Sequence, residues 1–310
     1  ADGKELIFNL TTNGTLINEE VIEFFQLHKF GLMISLDGPR EIHDKSRRFA
    51  SNNCGSFDKI IENLERIRTK FPQYYKRIAF NAVLDPRNDF SCVNDFFLNY
   101  DVVRNAYINE STISDYYTEN PVSGNEDFYI NKDYEVFKAF LSKKNKLDER
   151  FVSPFASRAF DYIKETVNKQ LKLTEMLPER THHSGPCTPG IDRLFMNAKG
   201  DLFPCERVSE VSETMKIGNV DTGFDINKIL NLMNIGKQTV EECKNCWAFR
   251  HCTLCAASAD DLSGISADKK LPQCDRVRET VEEILKDYCV LKELGVNLDD
   301  AQPFVSFCHD

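Results

Sequence analysis

Over the first 110 residues, short apolar runs are broken by turn residues, and the runs alternate in period. Glu5 to Leu10 reads as a strand that ends in the turn Thr12-Asn13-Gly14. Asn18 predicts a helix N-cap, with Glu19 and Glu20 in the first turn where acidic groups suit the helix dipole. Val21, Ile22, Phe24, Phe25 and Leu27 give that helix its apolar residues. Gly31 to Leu36 predicts a second, buried strand running into Asp37-Gly38-Pro39. Ser56 opens a helix whose Ile60, Ile61, Leu64 and Ile67 recur at helical steps. Arg77 to Leu84 reads as a third strand, Cys92 to Asn99 as a short helix, and Val102 to Ile108 as a fourth strand. Strands separated by helices predict an α/β fold with a parallel sheet or barrel. Such folds put their chemistry at the carboxyl ends of the strands. Here those ends carry Asn13, Asp37, Asp85 and Glu110.

Beyond this region the pattern changes. Ser111 to Asn131 is polar and irregular, and helices are predicted at 132–144 and 154–173. From Pro178 to Pro272 the chain predicts short strands, turns and clustered cysteines, followed by a helix from Asp275 to Leu294. The expected division is 1–130, 131–180 as a helical linker, and 181–310.

The composition narrows the function. The chain has 310 residues, 41% of them apolar, which is enough for a substantial core. Its net charge of −10 argues against nucleic-acid and anionic-lipid partners, which select basic surfaces. No run reaches the roughly 18 to 20 apolar residues of a membrane span, and the N-terminus does not read as a signal peptide. The expected setting is cytoplasmic. There, eleven cysteines are many, and the tight clustering of seven of them points to metal rather than to disulfides.

Seven cysteines fall within 88 residues: Cys187, Cys205, Cys243, Cys246, Cys252, Cys255 and Cys274. Leu194 to Phe203 reads as a hairpin turning at Asn197 to Gly200, which brings Cys187 and Cys205 toward one site. Cys243-x2-Cys246 and Cys252-x2-Cys255 each aim two sulfurs at a metal centre. Both cubane clusters and structural zinc take four thiolates. The two pairs, five residues apart, are closer than the knuckles of the usual zinc ribbon. Cys54, Cys92, Cys289 and Cys308 lie outside the pattern and are expected to be small buried hydrophobes.

This arrangement resembles the SPASM domain of peptide-modifying radical SAM enzymes: a cysteine, a glycine, a cysteine after four more residues, then Cys-x2-Cys-x5-Cys-x3-Cys and a last cysteine. The chain departs from it at one point, with two residues rather than three between Cys252 and Cys255. Thr11-Thr12-Asn13-Gly14-Thr15-Leu16 and Ile34-Ser35-Leu36-Asp37-Gly38-Pro39, followed by His43 and Arg47-Arg48, resemble the third- and fourth-strand motifs of the radical SAM barrel. The family's Cys-x3-Cys-x2-Cys and Gly-Gly-Glu-Pro motifs do not occur in these residues. The expectation is therefore a partial (β/α) barrel followed by a SPASM domain, inactive on its own in cleaving S-adenosylmethionine (AdoMet).

The resemblance implies further roles. Cys187, Cys205 and Cys255 match ligands of one auxiliary [4Fe-4S] cluster, and Cys243, Cys246, Cys252 and Cys274 match those of another. AdoMet and a third cluster belong to the parent enzyme, and zinc could replace the clusters in air. Asn13, Ser35 and Asp37 match positions lining the AdoMet site, although Asp37 also suits a plain turn before Gly38-Pro39. Glu206 stands where sulfatase-maturing members carry an Asp base, and it could equally be an ion-pair partner of Arg193 or Arg207. Thr181 stands where those members have an extra cysteine, which leaves the three-cysteine site one ligand short. The resemblance implies that its open iron could take a substrate cysteine, as in thioether-forming members, with His182 or His183 as the alternative ligand. The preferred expectation is a maturase forming thioether crosslinks in a cysteine-rich precursor peptide, with ferredoxin or flavodoxin as electron donor. The alternatives are a sulfatase maturase making formylglycine and a non-catalytic metal- or peptide-binding module.

Overall fold

The computed structural model describes residues 6–118, 122–156, 159–170, 181–183 and 185–298. The chain divides into two compact units. One is built mainly from residues up to Tyr162, and the other from Tyr116–Thr118 with Ile163–Gly295. Helix α7 (Ala159–Gln170, the seventh in chain order) carries the chain from one to the other.

The first unit is a four-stranded parallel sheet, β1 (Asn9–Thr12), β2 (Gly31–Ser35), β3 (Ala79–Leu84) and β4 (Ile108–Thr112), in sequential order. Its helices are α1 (Glu19–Leu27), α2 (Arg40–Ser46), α3 (Phe57–Lys70), α4 (Pro72–Tyr75), α5 (Phe90–Asn99) and α6 (Glu126–Lys143). Ile34, Phe80, Ala82 and Leu84 from the sheet pack with Ile60, Leu64 and Ile67 of α3 and Phe97 of α5, all nearly inaccessible to water. The parallel α/β unit agrees with expectation, and so do Asn18, whose side chain accepts from Val21 N–H at 2.9 Å, and the apolar face of α3.

Four local readings are corrected, the first being the first strand, which is Asn9–Thr12 rather than Glu5 to Leu10. The fourth strand is Ile108–Thr112, not Val102 to Ile108. Val102 and Val103 are buried, but in a turn whose amides bond back to Tyr100 and neighbouring carbonyls, so burial without alternation mimicked a strand. Helix α6 starts at Glu126, capped by Asn125, well inside the stretch expected to be irregular. Helix α2 was not expected at all.

The second unit has a small antiparallel sheet, β5 (Phe195–Met196), β6 (Asp201–Phe203), β7 (Gly218–Asn219) and β8 (Gly223–Phe224). The expected hairpin is β5–β6, pairing Phe195 with Phe203. Helices α8 (Ile226–Met233), α9 (Val240–Lys244), α10 (Ala267–Lys270) and α11 (Cys274–Glu293) follow. They make this stretch more helical than expected. Leu202, Phe203, Met215, Ile217, Leu232 and Ile235 form its core. Among the described residues no helix is long and apolar enough to cross a membrane.

Candidate functional site

In the first unit, the carboxyl ends of β2 and β3 open onto a cavity of about 480 Å³ lined by Asp37, Lys45, Arg47, Asp85, Arg87 and Asn88, among others. Asp37 is held on three sides. Arg47 donates to it from Nε at 2.5 Å and from Nη2 at 3.0 Å, and Val83 N–H donates at 3.0 Å. Helix α2 fixes this arrangement. Its His43 is fully buried, and Nδ1 accepts from Asp37 N–H at 3.3 Å. With Nδ1 as acceptor, Nε2 carries the proton and donates to Ser56 Oγ at 3.0 Å, and that hydroxyl donates to the Arg47 carbonyl at 3.1 Å. Burial pushes the His43 pKa below the ordinary histidine value, so the ring stays neutral. Arg87 bonds to both oxygens of Asp85 and holds that carboxyl below the usual carboxylate range.

Asn13 and Ser35 do not line this cavity. The Asn13 side chain accepts from the Thr15 amide at 3.1 Å and hydroxyl at 2.9 Å. It thereby shapes a turn in which Gly14 has φ +72°, where any Cβ would come within 3.0 Å of Ile34. Ser35 is buried in β2. Lys45 and Arg87 do line the cavity and gave no signal in the sequence. Pro39 followed by Glu41 in the first turn was the available sign of α2.

In the second unit, Cys243, Cys246, Cys252 and Cys274 surround a single cavity of about 160 Å³, together with His183, Ala248, Leu254, Lys270 and Arg278 among others. They come from four places: the end of α9, the turn after it, the exit of a short 3-10 turn, and the first residue of α11. Burial raises the pKa of Cys252 and of Cys274, and nearby cations oppose the shift, chiefly Lys270 at Cys252 and Arg278 at Cys274. The lysine Nζ lies 3.5 Å from Cys243 Sγ.

Cys255 belongs to other company. Burial raises its pKa most, and the neighbouring Cys205 and Cys187 raise it further. Cys205 and Cys255 both pack on the core of this unit. Gly185 lets the chain leading to Cys187 approach closely, since a Cβ there would lie 1.9 Å from the Leu254 carbonyl oxygen. Among the described residues no group of three or more His, Cys, Asp or Glu side chains is arranged so as to hold a metal ion as it stands. The thiols form two neighbourhoods, not two closed shells. The donor chemistry nonetheless fits a thiolate-bound centre in the four-cysteine cavity: four sulfurs around one space, with cations beside them.

Other candidates find different places. His183 lines the four-cysteine cavity, not the three-cysteine group. Its Nε2 donates to the Leu254 carbonyl at 2.8 Å and its buried Nδ1 has no partner. Burial pushes its pKa down to about 4. His182 Nδ1 bonds instead to the His183 carbonyl at 2.6 Å. Glu206 is an exposed ion-pair partner of Arg193, at 2.9 Å, and of Arg207, at 3.7 Å. Cys54, Cys92 and Cys289 are exposed, not buried, because each sits on the solvent side of its segment. Cys308 lies outside the described residues.

No protein-family model matches the chain. It is 31% identical to a cysteine-type anaerobic sulfatase-maturating enzyme of Clostridium novyi over 254 residues, covering 78% of this chain and 61% of the relative. A cysteine-type enzyme of Clostridium perfringens is 28% identical, covering 79% of this chain and 63% of the relative. A serine-type enzyme of Bacteroides thetaiotaomicron is 26% identical, covering 71% and 52%. The chain thus spans less than two thirds of the length of these relatives. Among solved structures, anSMEcpe with bound AdoMet and a Kp18Cys peptide superposes with a TM-score of 0.62 at 21% identity, covering 92% of this chain and 76% of the other. At that identity the match establishes the shared fold.

Proposed function

We propose that this chain, a homologue of the anaerobic sulfatase-maturating enzymes and hence of the radical SAM class, serves the oxidation of a cysteine or serine side chain in a sulfatase-derived peptide to formylglycine. The curated relatives carry this reading. They favour it over the thioether-forming maturase expected first, which rested on Thr181 standing in the place of a cysteine. The gathering of four cysteines around one cavity supports it from within the chain.

When bound, the AdoMet cluster would supply a hydrogen-abstracting radical, and auxiliary clusters would offer a route for the electrons leaving the substrate. Cys243, Cys246, Cys252 and Cys274 would hold one auxiliary [4Fe-4S] cluster, and Cys187, Cys205 and Cys255 would contribute to another. In the strand-end cavity, Arg47 is fixed by Asp37 and by the His43–Ser56 relay, which suits a cation that holds an anionic group of AdoMet. Glu206, next to Cys205, would take a proton from the substrate thiol, with Arg193, 2.9 Å away, orienting its carboxylate. These residues contain no Cys-x3-Cys-x2-Cys motif, so reductive cleavage of AdoMet by this chain alone is not proposed.

Anaerobic reconstitution tests the reading. Two cubanes predict about eight iron and about eight sulfide per chain. The loaded chain should bind a peptide of the Kp18Cys type and lose that binding when the target cysteine is replaced by glycine. Zinc without sulfide, or equal binding of both peptides, would overturn it.

A further inference from the structure

Lys270 is 1% exposed, a rare place for an ammonium group. Burial of an unpaired charge is costly, so interior lysines are normally matched by a carboxylate. Among the described residues Nζ has two hydrogen-bond partners, and neither is an acid. It donates to Thr239 Oγ1 at 2.7 Å and approaches Cys243 Sγ at 3.5 Å. Thr239 is equally buried, and its Oγ1 lies 3.2 Å from the same sulfur. Because the lysine fills the acceptor side of that hydroxyl, the hydroxyl proton is free to point at Cys243 Sγ. Two donors therefore converge on one sulfur, an arrangement suited to an anionic sulfur. The acid lining the same cavity, Glu242, is exposed. Among the described residues around it, the negative charge that would balance Lys270 is missing, and a tetrathiolate metal centre carries such charge.

We infer that Lys270, with Thr239 as its relay, is a positioning residue that compensates the negative charge of the four-cysteine centre and raises its reduction potential. The inference rests on the proposed cluster binding and concerns how that centre is tuned. One-electron reduction adds a negative charge to the centre without a bond made or broken, and a fixed cation nearby makes that addition easier. Hydrogen bonds to the sulfurs act in the same direction.

The test compares the full chain with its Lys270→Met, Lys270→Arg and Thr239→Val variants, all carrying Cys205→Ser so that one centre gives the signal. Each is reconstituted anaerobically, assayed for iron and sulfide, and titrated with dithionite and mediators while the cluster spectrum is followed. Lys270→Met should make reduction on the order of tenfold less favourable, a shift of about 59 mV to lower potential for a one-electron couple. Thr239→Val should shift it less, in the same direction, and Lys270→Arg should restore most of the loss. Failure of Lys270→Met to load while Lys270→Arg loads also supports charge compensation. An unchanged potential in Lys270→Met, or the same effect from Met and Arg, overturns the inference and leaves cluster binding standing. Absence of iron and sulfide from the chain with lysine intact overturns cluster binding, and the inference with it.

Discussion

His43 ties stability to pH through a single buried ring. Its neutral form accepts the Asp37 amide and donates to Ser56, and burial depresses its pKa. The unfolded chain binds this proton near pH 6.5, whereas the native chain takes it up only at lower pH, so protonation favours unfolding. The contribution is therefore fully present above about pH 6.5 and is lost as pH falls from there toward the depressed native pKa. Urea unfolding between pH 8 and pH 5 should show that decline, and His43→Gln should flatten it. An unchanged slope in the variant would assign the effect to other histidines, such as His251, which burial shifts the same way. The adjacent pair behaves differently. Arg47→Met strands the mostly buried Asp37 carboxylate and should cost about 3 kcal/mol, while Arg47→Met with Asp37→Asn should cost clearly less. In the double-mutant cycle, a double variant that costs the sum of its two single variants would mean that the pair is not coupled. At this scale the chain was half legible. Asp37-Gly38-Pro39 and Arg47 stood out as motif residues, but nothing in their spacing showed that Arg47 would fold back onto Asp37. Lys270 was harder still, because a lysine in Asp268-Lys269-Lys270 reads as solvated surface.

At the scale of elements, the features that were readable are those with local causes. Asn18 caps α1 through its own side chain, and the period of Ile60, Leu64 and Ile67 reports the buried face of α3. Asn18→Ala should lower stability by about 1 kcal/mol in thermal or urea melts. The β5–β6 hairpin is equally local. Asn197 Oδ1 accepts the amides of Lys199 and Asp201 at 3.0 Å each, and Gly200 turns the chain at φ +80°. Alanine at Gly200 would take a disfavoured backbone and press its Cβ to 2.8 Å from Val220 Cγ1. Gly200→Ala should therefore cost about 1 kcal/mol or more and increase amide exchange in β5 and β6. Unaltered exchange there would show that the sheet tolerates the strain. The elements misread have non-local causes. Val102 and Val103 are buried by the core of their unit without entering the ladder, and α2 is too short and polar to show a face.

At the scale of the molecule, the two units are built in different ways, and so metal should act on them differently. The first has a parallel sheet and a continuous core of large side chains such as Phe80, Phe90 and Phe97. The second has strands of two or three residues and a smaller core, and its thiols lie between short turns with few ladder bonds. Cysteines 252, 255 and 274 have raised pKa values, so these thiols must give up protons that the folded chain holds firmly before they bind a metal. Binding that occurs only in the folded state adds its free energy to folding, and that gain grows with metal concentration. Hydrogen exchange of the chain with and without anaerobically loaded iron and sulfide should accordingly show new protection in α9, at the start of α11 and around Cys252–Cys255. The amides of β2 and β3 should exchange at the same rate in both states, because their protection comes from apolar packing and ladder bonds within their own unit. Uniform protection of both units on loading would show instead that the chain unfolds as one cooperative body, and the difference in construction would then have no energetic expression.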